Sequence, residues 1–449
     1  MGEAIMNADL STVLGYGGAV VLFATTALVL LVRADLAPAA GLGAVLDGGG
    51  KWFLGAALGA GVIAFSLKLV IILTLSSFPE QTIAPLVPPP ATAMVSAESP
   101  DAFAPSADAA PGHVWKALPP VAPSPPDNPA TPAKVSLGQR LFHDPILSID
   151  RTVSCASCHD LGLGAGTDRR ATAIGVTHVP GRRNAPTVWN AAFQARLFWD
   201  GRAGSLEEQA MGPPLNPDEM GMPSAQAIEE RIGADASYRE AFAQAFGDDR
   251  PVSMRRVVQA LAAFERSLIT ADSPYDRFVS GDAEALGPGQ QRGMWLFQAV
   301  GCVMCHSGAN FSGASLIGPR NPYAPLLASR SPLARSHGLG ADKGRAGEAA
   351  ADGIWRIPSL RNVALTAPYF HNGAVGDLSE AVRVMATTQL GAVISNDPGL
   401  RRVPRWSAAE ERFRVVDRLV LSEQDIADIV SFLNALTSDS LSRGAARIP

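Results

Sequence analysis

The pentapeptide Cys-x-x-Cys-His occurs twice in this chain, as Cys155-Ala-Ser-Cys158-His159 and as Cys302-Val-Met-Cys305-His306, and the two copies use all four cysteines. Two thiols one helical turn apart can each meet a vinyl group of one haem while the adjacent imidazole ligates its iron, so this spacing is the signature of covalent c-type haem attachment. A redox Cys-x-x-Cys, or half of a zinc site, followed by a chance His is the alternative for a single copy. Two copies leave no thiol for a disulfide, a zinc cluster or a cysteine nucleophile. The sequence therefore reads as a carrier of two covalently bound haem c groups, with His159 and His306 as proximal iron ligands.

Haem is attached to such chains outside the cytoplasm, so residues from 150 onward are expected on the periplasmic side of a bacterial inner membrane. Residues 12–32 form an uncharged apolar run, against the roughly 20 residues needed to cross hydrocarbon. A cleaved signal peptide is the alternative, but the preceding "MGEAIMNADLS" carries acidic residues and no Lys or Arg, unlike a basic n-region. Residues 52–78 read as a second span. Arg33 and Lys51 bracket the loop between the two, which the positive-inside tendency makes cytoplasmic. Lys68 lies within the second span, where it reads as snorkelling or pairing with a partner subunit before it reads as functional. Neither span contains His, so residues 1–78 are expected to be a two-helix membrane anchor without a haem of its own.

From 79 to 134 the chain is rich in Pro and Ala, a composition that favours extended segments and buries little, and it reads as a linker. The remaining chain is long enough for two domains, expected at 135–285 and 286–440 with a tail at 441–449. "GQRLF" (138–142) precedes the first haem motif and "GMWLF" (293–297) the second, each reading as the helix that leads into a cytochrome c haem site. Residues 252–270 place Val257, Val258, Leu261 and Leu268 at helical spacing, and Ser422-x-x-Asp425 opens a run with Ile426, Ile429, Val430, Leu433 and Leu436 on one face. No long strand-like alternation appears, so the fold class is mostly α: two cytochrome c-like haem domains behind a transmembrane hairpin and tether. A formal charge of -5 without a basic cluster excludes nucleic acid as a natural partner.

From Leu137 to Thr437 the chain resembles the bacterial diheme cytochrome c peroxidase family, which also contains the diheme enzyme that matures tryptophan tryptophylquinone. The resemblance rests on "LGQRLFHDPILS", "RNAPTVWNAAFQARLFWDGRAGSLEEQAMGPPLNPDEMG", "AFERSLITADSPYDRF", "PSLRNVALTAPYFHNGAV" and "VMATTQLG". It implies that the first haem is the low-potential site where peroxide binds and the second a high-potential relay with His/Met ligation. Met385 matches the thioether ligand, which favours Fe(II) and raises the potential. The cofactor-maturing relative has Tyr as that ligand. Glu219 matches the family's distal acid/base and Gln209 its hydrogen-bonding neighbour, while Trp199 matches the tryptophan between the haems. Asn184, Thr366 and Pro368 match the ligands of a calcium ion between the domains.

The resemblance thus implies a membrane-anchored periplasmic peroxidase that reduces H2O2 to water. With no third haem motif of the quinol-linked trihaem variant, its electron donor is expected to be a small c-type cytochrome or cupredoxin. Family members are commonly homodimers. A diheme oxidase of a protein or small-molecule substrate, and a non-enzymatic diheme electron carrier, are the alternatives. The chain departs from the family in one loop: peroxidases that need reductive activation carry a ligating His where this chain has Val176. His178, two residues on, is the remaining candidate distal ligand, and a first haem open to peroxide at rest is the favoured expectation.

Overall fold

Two pairs of crossing helices organise the chain, and each pair meets at a glycine. The computed structural model describes residues 113–163, 165–318, 321–407, 412–417 and 419–443. The two apolar spans with Lys68, the linker up to 112 and the end of the tail lie outside the described residues. Among the described residues, seven helices have ten residues or more: α1 Pro132–His143, α2 Ala225–Ala234, α3 Ala236–Phe246, α4 Met254–Ser267, α5 Pro288–Ala299, α6 Leu378–Gln389 and α7 Glu423–Asn434. None is long and apolar enough to cross a membrane.

Local chemistry sets where these helices begin. Pro132 and Pro288 occupy first-turn positions, where a missing N–H costs nothing. Ser422 and Asp425 form the expected reciprocal cap: Ser422 N–H donates to Asp425 Oδ2 at 2.7 Å and Asp425 N–H to Ser422 Oγ at 3.1 Å. The apolar stripe expected at 252–270 becomes α4, with Val257, Val258, Leu261 and the following Leu268 all buried.

The first core packs Leu137, Leu141 and Phe142 of α1 against Val257, Leu261 and Phe264 of α4, with Tyr238 and Phe242 of α3. The second packs Leu296 and Phe297 of α5 against Ile429, Phe432 and Leu433 of α7, with Tyr275 and Phe311. At the first crossing a Cβ on Gly138 would lie 2.0 Å from the Ala260 carbonyl oxygen and 2.8 Å from Phe264 Cβ. At the second, a Cβ on Gly293 would lie 1.8 Å from the Asp428 carbonyl oxygen and 2.9 Å from Phe432 Cβ. The echo between "GQRLF" and "GMWLF" is therefore one helix crossing built twice. The glycine lets two backbones touch, and the Phe four residues on fills the core beneath.

The cores do not divide cleanly at 285/286. Tyr275 belongs to the second core, and Leu441 of the tail packs into the first. A third cluster joins Ala191, Ala192, Phe193, Leu197 and Leu206 to Ala262 and Ala309. Across it, Arg361 and Asp276 form a buried ion pair at 2.7 Å, and Arg361 also donates to the Ala309 carbonyl.

The linker reading needs correction over 113–131. Leu118 is 3% exposed, Ala122 7% and Asn128 1%. Trp115 packs in the second core and donates to Gln298 Oε1 at 3.2 Å, while Leu118 N–H donates to Asp276 Oδ1 at 2.9 Å. Farther on, Asn128 donates to Glu207 Oε1 at 2.7 Å and to the Gln259 carbonyl at 2.9 Å. Pro-rich composition predicted the absence of helix and strand over 113–131 and missed the burial. A segment with an apolar residue every few positions can lie in a groove between two cores, and here it straps them together.

Three two-stranded ladders complete the described residues: Tyr323–Leu326 antiparallel to Gly353–Arg356, Val393–Ile394 parallel to Val420–Leu421, and Arg402–Ser407 antiparallel to Arg412–Asp417. They are too short to carry a readable alternation, so the mostly helical reading stands.

Gly138→Ala and Gly293→Ala should each destabilise the folded chain by at least ~1–3 kcal/mol, because the new methyl meets backbone that no rotamer change can move. Gly233→Ala on α2, where a Cβ meets nothing within 4 Å, should be neutral or stabilising. Denaturant melts of the three variants check this.

Candidate haem-binding and catalytic site

Both Cys-x-x-Cys-His motifs are wound as a single helical turn that delivers the His ring inward. Cys155–Cys158 is helical and His159 N–H donates to the Cys155 carbonyl at 3.0 Å; Cys302–Met304 forms a tighter turn and His306 N–H donates to the Cys302 carbonyl at 2.9 Å. Nδ1 of His159 faces the Gly166 carbonyl at 3.3 Å and Nδ1 of His306 the Phe311 carbonyl at 3.2 Å. A carbonyl only accepts, so each Nδ1 carries the proton, and Nε2 keeps its lone pair. Burial holds both rings below the ordinary imidazole range and so neutral. A neutral ring with Nδ1–H tied to a carbonyl is the arrangement of a metal-ligating histidine.

The burial of the cysteines disfavours a thiol nucleophile. All four are free. Burial pushes the Cys155 thiol up to about 12, Cys158 up to about 11 and Cys302 up to about 12, and also raises Cys305. Thiols held neutral are poor nucleophiles, and no cluster of three or more His, Cys, Asp or Glu suited to a metal ion occurs among the described residues. What remains is paired thiols beside a ligating imidazole, twice, which fits thioether-linked haem at both motifs.

The surroundings of the two motifs differ in charge. Glu219 is half-buried, and burial raises its carboxyl above the ordinary range. Its charge is felt by both thiols of the first motif, whereas no carboxylate acts on those of the second. The carboxyl is oriented by Asn216, whose Nδ2 donates to Glu219 Oε1 at 2.7 Å. Val176 N–H donates to the Glu219 carbonyl at 2.9 Å, and a Cβ on Gly175 would sit 2.1 Å from the Asp218 carbonyl oxygen. The loop that departs from the family is thus docked against the segment carrying Glu219, with Val176 packed on the first core. His178 sits exposed on a left-handed turn with φ +58°. Gln209 is half-buried on the short helix Leu206–Ala210.

Trp199 lies in an aromatic and charged junction to which both halves of the chain contribute. Trp199 Nε1–H donates to the Asn184 carbonyl at 2.8 Å, and Asn184 N–H donates to the His371 carbonyl at 2.7 Å. His371 stands edge-on to Trp199, with centroids 6.4 Å apart, and stacks on Trp355 at 3.9 Å. Arg183 binds Asp342 and Asp200, each at 2.8 Å, and lies over the Trp355 ring. Arg356 is buried, which lowers its pKa to about 10, and it donates from Nε to the Phe198 carbonyl at 2.9 Å. Met385 of α6 packs in the cluster that holds Trp355, Trp199 and Phe370. One turn earlier Val382 packs on the core that includes Cys302 and Val303, so this face of α6 spans the second motif and the junction. Asn184 is buried and its Nδ2 donates to the Arg170 carbonyl at 2.9 Å. Thr366 and Pro368 flank the Ala367-Pro368 cis peptide.

Several residues of this region escaped the sequence reading. Glu265 is 7% exposed on α4, and burial pushes its carboxyl up to about 7. It falls four residues after Leu261, in phase with the apolar stripe, and that phase was its available signal. His371 and Trp355 carried no such signal. Nε2 of His371 and Nε1 of Trp355 are both buried without a protein partner, which makes them suited to an acceptor such as a haem carboxylate.

Residues 132–284 match the family model described as di-haem cytochrome c peroxidase. The chain is 41% identical over 265 residues to cytochrome c551 peroxidase of Pseudomonas aeruginosa, covering 58% of this chain and 74% of that protein. It is 37% identical over 333 residues to cytochrome c peroxidase Ccp of Escherichia coli, covering 74% of this chain but less than two thirds, 63%, of that longer protein. To methylamine utilization protein MauG of Methylorubrum extorquens it is 36% identical over 336 residues, covering 73% of this chain and 84% of the relative. Among solved structures it is similar to a MauG-like protein associated with microbial copper homeostasis, with a TM-score of 0.60, 32% identity, and coverage of 74% of this chain and 97% of that one.

Proposed function

The chain belongs to the di-haem cytochrome c peroxidase family of oxidoreductases, and from that premise we propose that it reduces H2O2 to two waters with two electrons and two protons. The observation that carries this reading is the asymmetry of the motifs: the half-buried Glu219 carboxyl, held by Asn216, acts on both thiols of the first and no carboxylate among the described residues acts on those of the second. Haem at Cys155 and Cys158 would supply the iron that binds peroxide, and haem at Cys302 and Cys305 the centre that stores an electron. Glu219, raised by burial and held by Asn216, moves a proton from one peroxide oxygen to the other. Gln209 is the neighbour that the resemblance assigns to hydrogen-bond it, although among the described residues that bond comes from Asn216. Trp199 bridges the pockets, tied through Asn184 to His371, and Met385 would hold the iron of the second haem through its thioether.

Val176 has no atom that ligates iron, and its N–H is engaged by Glu219. Neither Val176 nor the exposed His178 would cap a haem at the first motif, which would leave it accessible to peroxide at rest. The Asn184 side-chain oxygen and the Thr366 and Pro368 carbonyls form a calcium site; none of the three accepts a hydrogen bond from the described residues, which leaves them available to a hard cation. The enzyme is held at the periplasmic face of the inner membrane by residues 12–32 and 52–78, draws electrons from a small c-type cytochrome or cupredoxin through a small transient interface, and works as a homodimer. Steady-state H2O2 turnover with a reduced cytochrome separates this reading from an oxidase of other substrates and from a non-enzymatic carrier.

Glu219→Gln should keep haem content and spectra while cutting peroxide turnover by ~10²-fold or more, the scale of a positioned acid/base; full activity would remove Glu219 from the mechanism. Met385→His should keep both haems attached and lower the midpoint of the second, since imidazole favours Fe(III) relative to thioether. An unchanged high-potential wave in a redox titration would exclude Met385 as ligand. The resting ferric protein should give a high-spin electron paramagnetic resonance signal from one haem. If both haems are low-spin and His178→Ala converts one, His178 is the cap after all.

A further inference from the structure

The two proximal histidines are held by the same kind of bond but from unlike residues. His159 donates to the carbonyl of Gly166, whose φ is +63°, and His306 to the carbonyl of Phe311, whose φ is +48°. Glycine occupies that left-handed region freely, whereas a phenylalanine there is strained and stays only where its surroundings over-determine it. The first pocket needs no such support. The second does, and its support is an aromatic cage.

The Phe311 ring is fully buried. Tyr275 meets it edge-on at 4.9 Å, Phe432 at 6.0 Å and Phe297 at 6.2 Å, and the Arg361 guanidinium lies 5.3 Å from its centroid. These neighbours come from the second core and the segments bound to it. The remaining wall is Trp115, tilted against Phe311 at 6.1 Å, and it comes from the strap ahead of the first haem domain. Trp115 is itself located from three sides: Nε1–H donates to Gln298 Oε1 at 3.2 Å, Phe432 lies 5.9 Å away and His113 4.3 Å away. The next residue, Lys116, binds the Tyr275 hydroxyl through both its N–H and its carbonyl at 3.2 Å. Both cage walls are therefore pinned to the strap.

We propose that Trp115 is a positioning residue for the second haem: by closing the cage around Phe311, the strap holds the carbonyl that accepts the His306 Nδ1 proton. The proposal rests on the reading of His306 as an iron ligand. A carbonyl drawing on Nδ1–H makes the imidazole more basic and favours Fe(III). When the cage opens, Phe311 is free to leave the left-handed region, the bond to His306 weakens, and the second haem becomes easier to reduce.

The test is redox titration and low-temperature electron paramagnetic resonance of the full-length holoprotein carrying Trp115→Ala, with Trp115→Phe as the conservative variant. The expected result is a higher midpoint for the second haem, seen as a several-fold increase in its reduced-to-oxidised ratio at a fixed ambient potential, with altered low-spin g-values. The first haem should not change, and Trp115→Phe should reverse most of the shift. An unchanged second haem in Trp115→Ala, or equal shifts at both haems, overturns the proposal. Should Trp115→Ala fail to accumulate, Trp115→Leu is read by the same criteria. The underlying reading fails separately and visibly: if His306→Gly leaves the second haem's spectrum intact, His306 is not the ligand, and the proposal falls with it whatever Trp115 does. Met385→His moves the same midpoint in the opposite direction, so ligand replacement and loss of positioning cannot be confused.

Discussion

Everything else in this fold depends on backbone touching backbone at two glycines. Haem attachment through two thiols and a histidine demands that one short turn be presented rigidly against a hydrophobic wall. In each half of the chain that wall is a helix pair crossing at Gly138 or Gly293, too close for any side chain at the crossing. Close approach lets Phe142 and Phe264, or Phe297 and Phe432, pack beneath the motif. At packing densities like those of organic crystals, such a core transmits position rather than absorbing it. The two motifs are thus fixed by the same device, and any difference between them must come from what surrounds it.

That difference is chiefly electrostatic. The first pocket has carboxyls at Glu219 and Glu265, both raised by burial. The crossing places Phe264 opposite Phe432 in the repeat, so the position of Glu265 corresponds to Leu433, an apolar residue of the second core. A carboxyl whose proton affinity is raised by burial suits proton chemistry. An apolar wall suits a centre that only exchanges electrons, because it gives a charge change no proton to follow. The same helix pair thus carries unlike side chains at equivalent positions, Glu265 in one half and Leu433 in the other.

The halves are then bound into one body by elements that belong to neither repeat. Arg361 and Asp276 form a desolvated pair beneath the third cluster, and the strap 113–131 runs from Trp115 in the second core to Asn128 beside α4. The Trp199, His371 and Trp355 rings sit where both halves contribute residues. A path between two redox centres is only as well defined as the distance between them, so this cross-bracing is part of the function.

Much of this was legible in the sequence. The two haem motifs, the leading helices with their repeated Gly and Phe, the Ser422 to Asp425 cap and the α4 stripe are local patterns, set by periodicities of a few residues and by bonds between near neighbours. The family motifs added Glu219, Met385 and Trp199; in the structure the Glu219 charge is felt by the first motif's thiols, and Trp199 and Met385 share one cluster. What the sequence could not carry were contacts between residues far apart in the chain. The strap looked like a solvated tether because Pro and Ala fix its backbone but not the groove it lies in. His371 and Trp355 looked like ordinary aromatics, and the strained Phe311 carbonyl gave no sign at all. Composition and spacing record what a residue can do with its neighbours in the chain; burial, left-handed backbone and ring stacking arise only when distant segments close on one another, and that closure belongs to the tertiary structure alone.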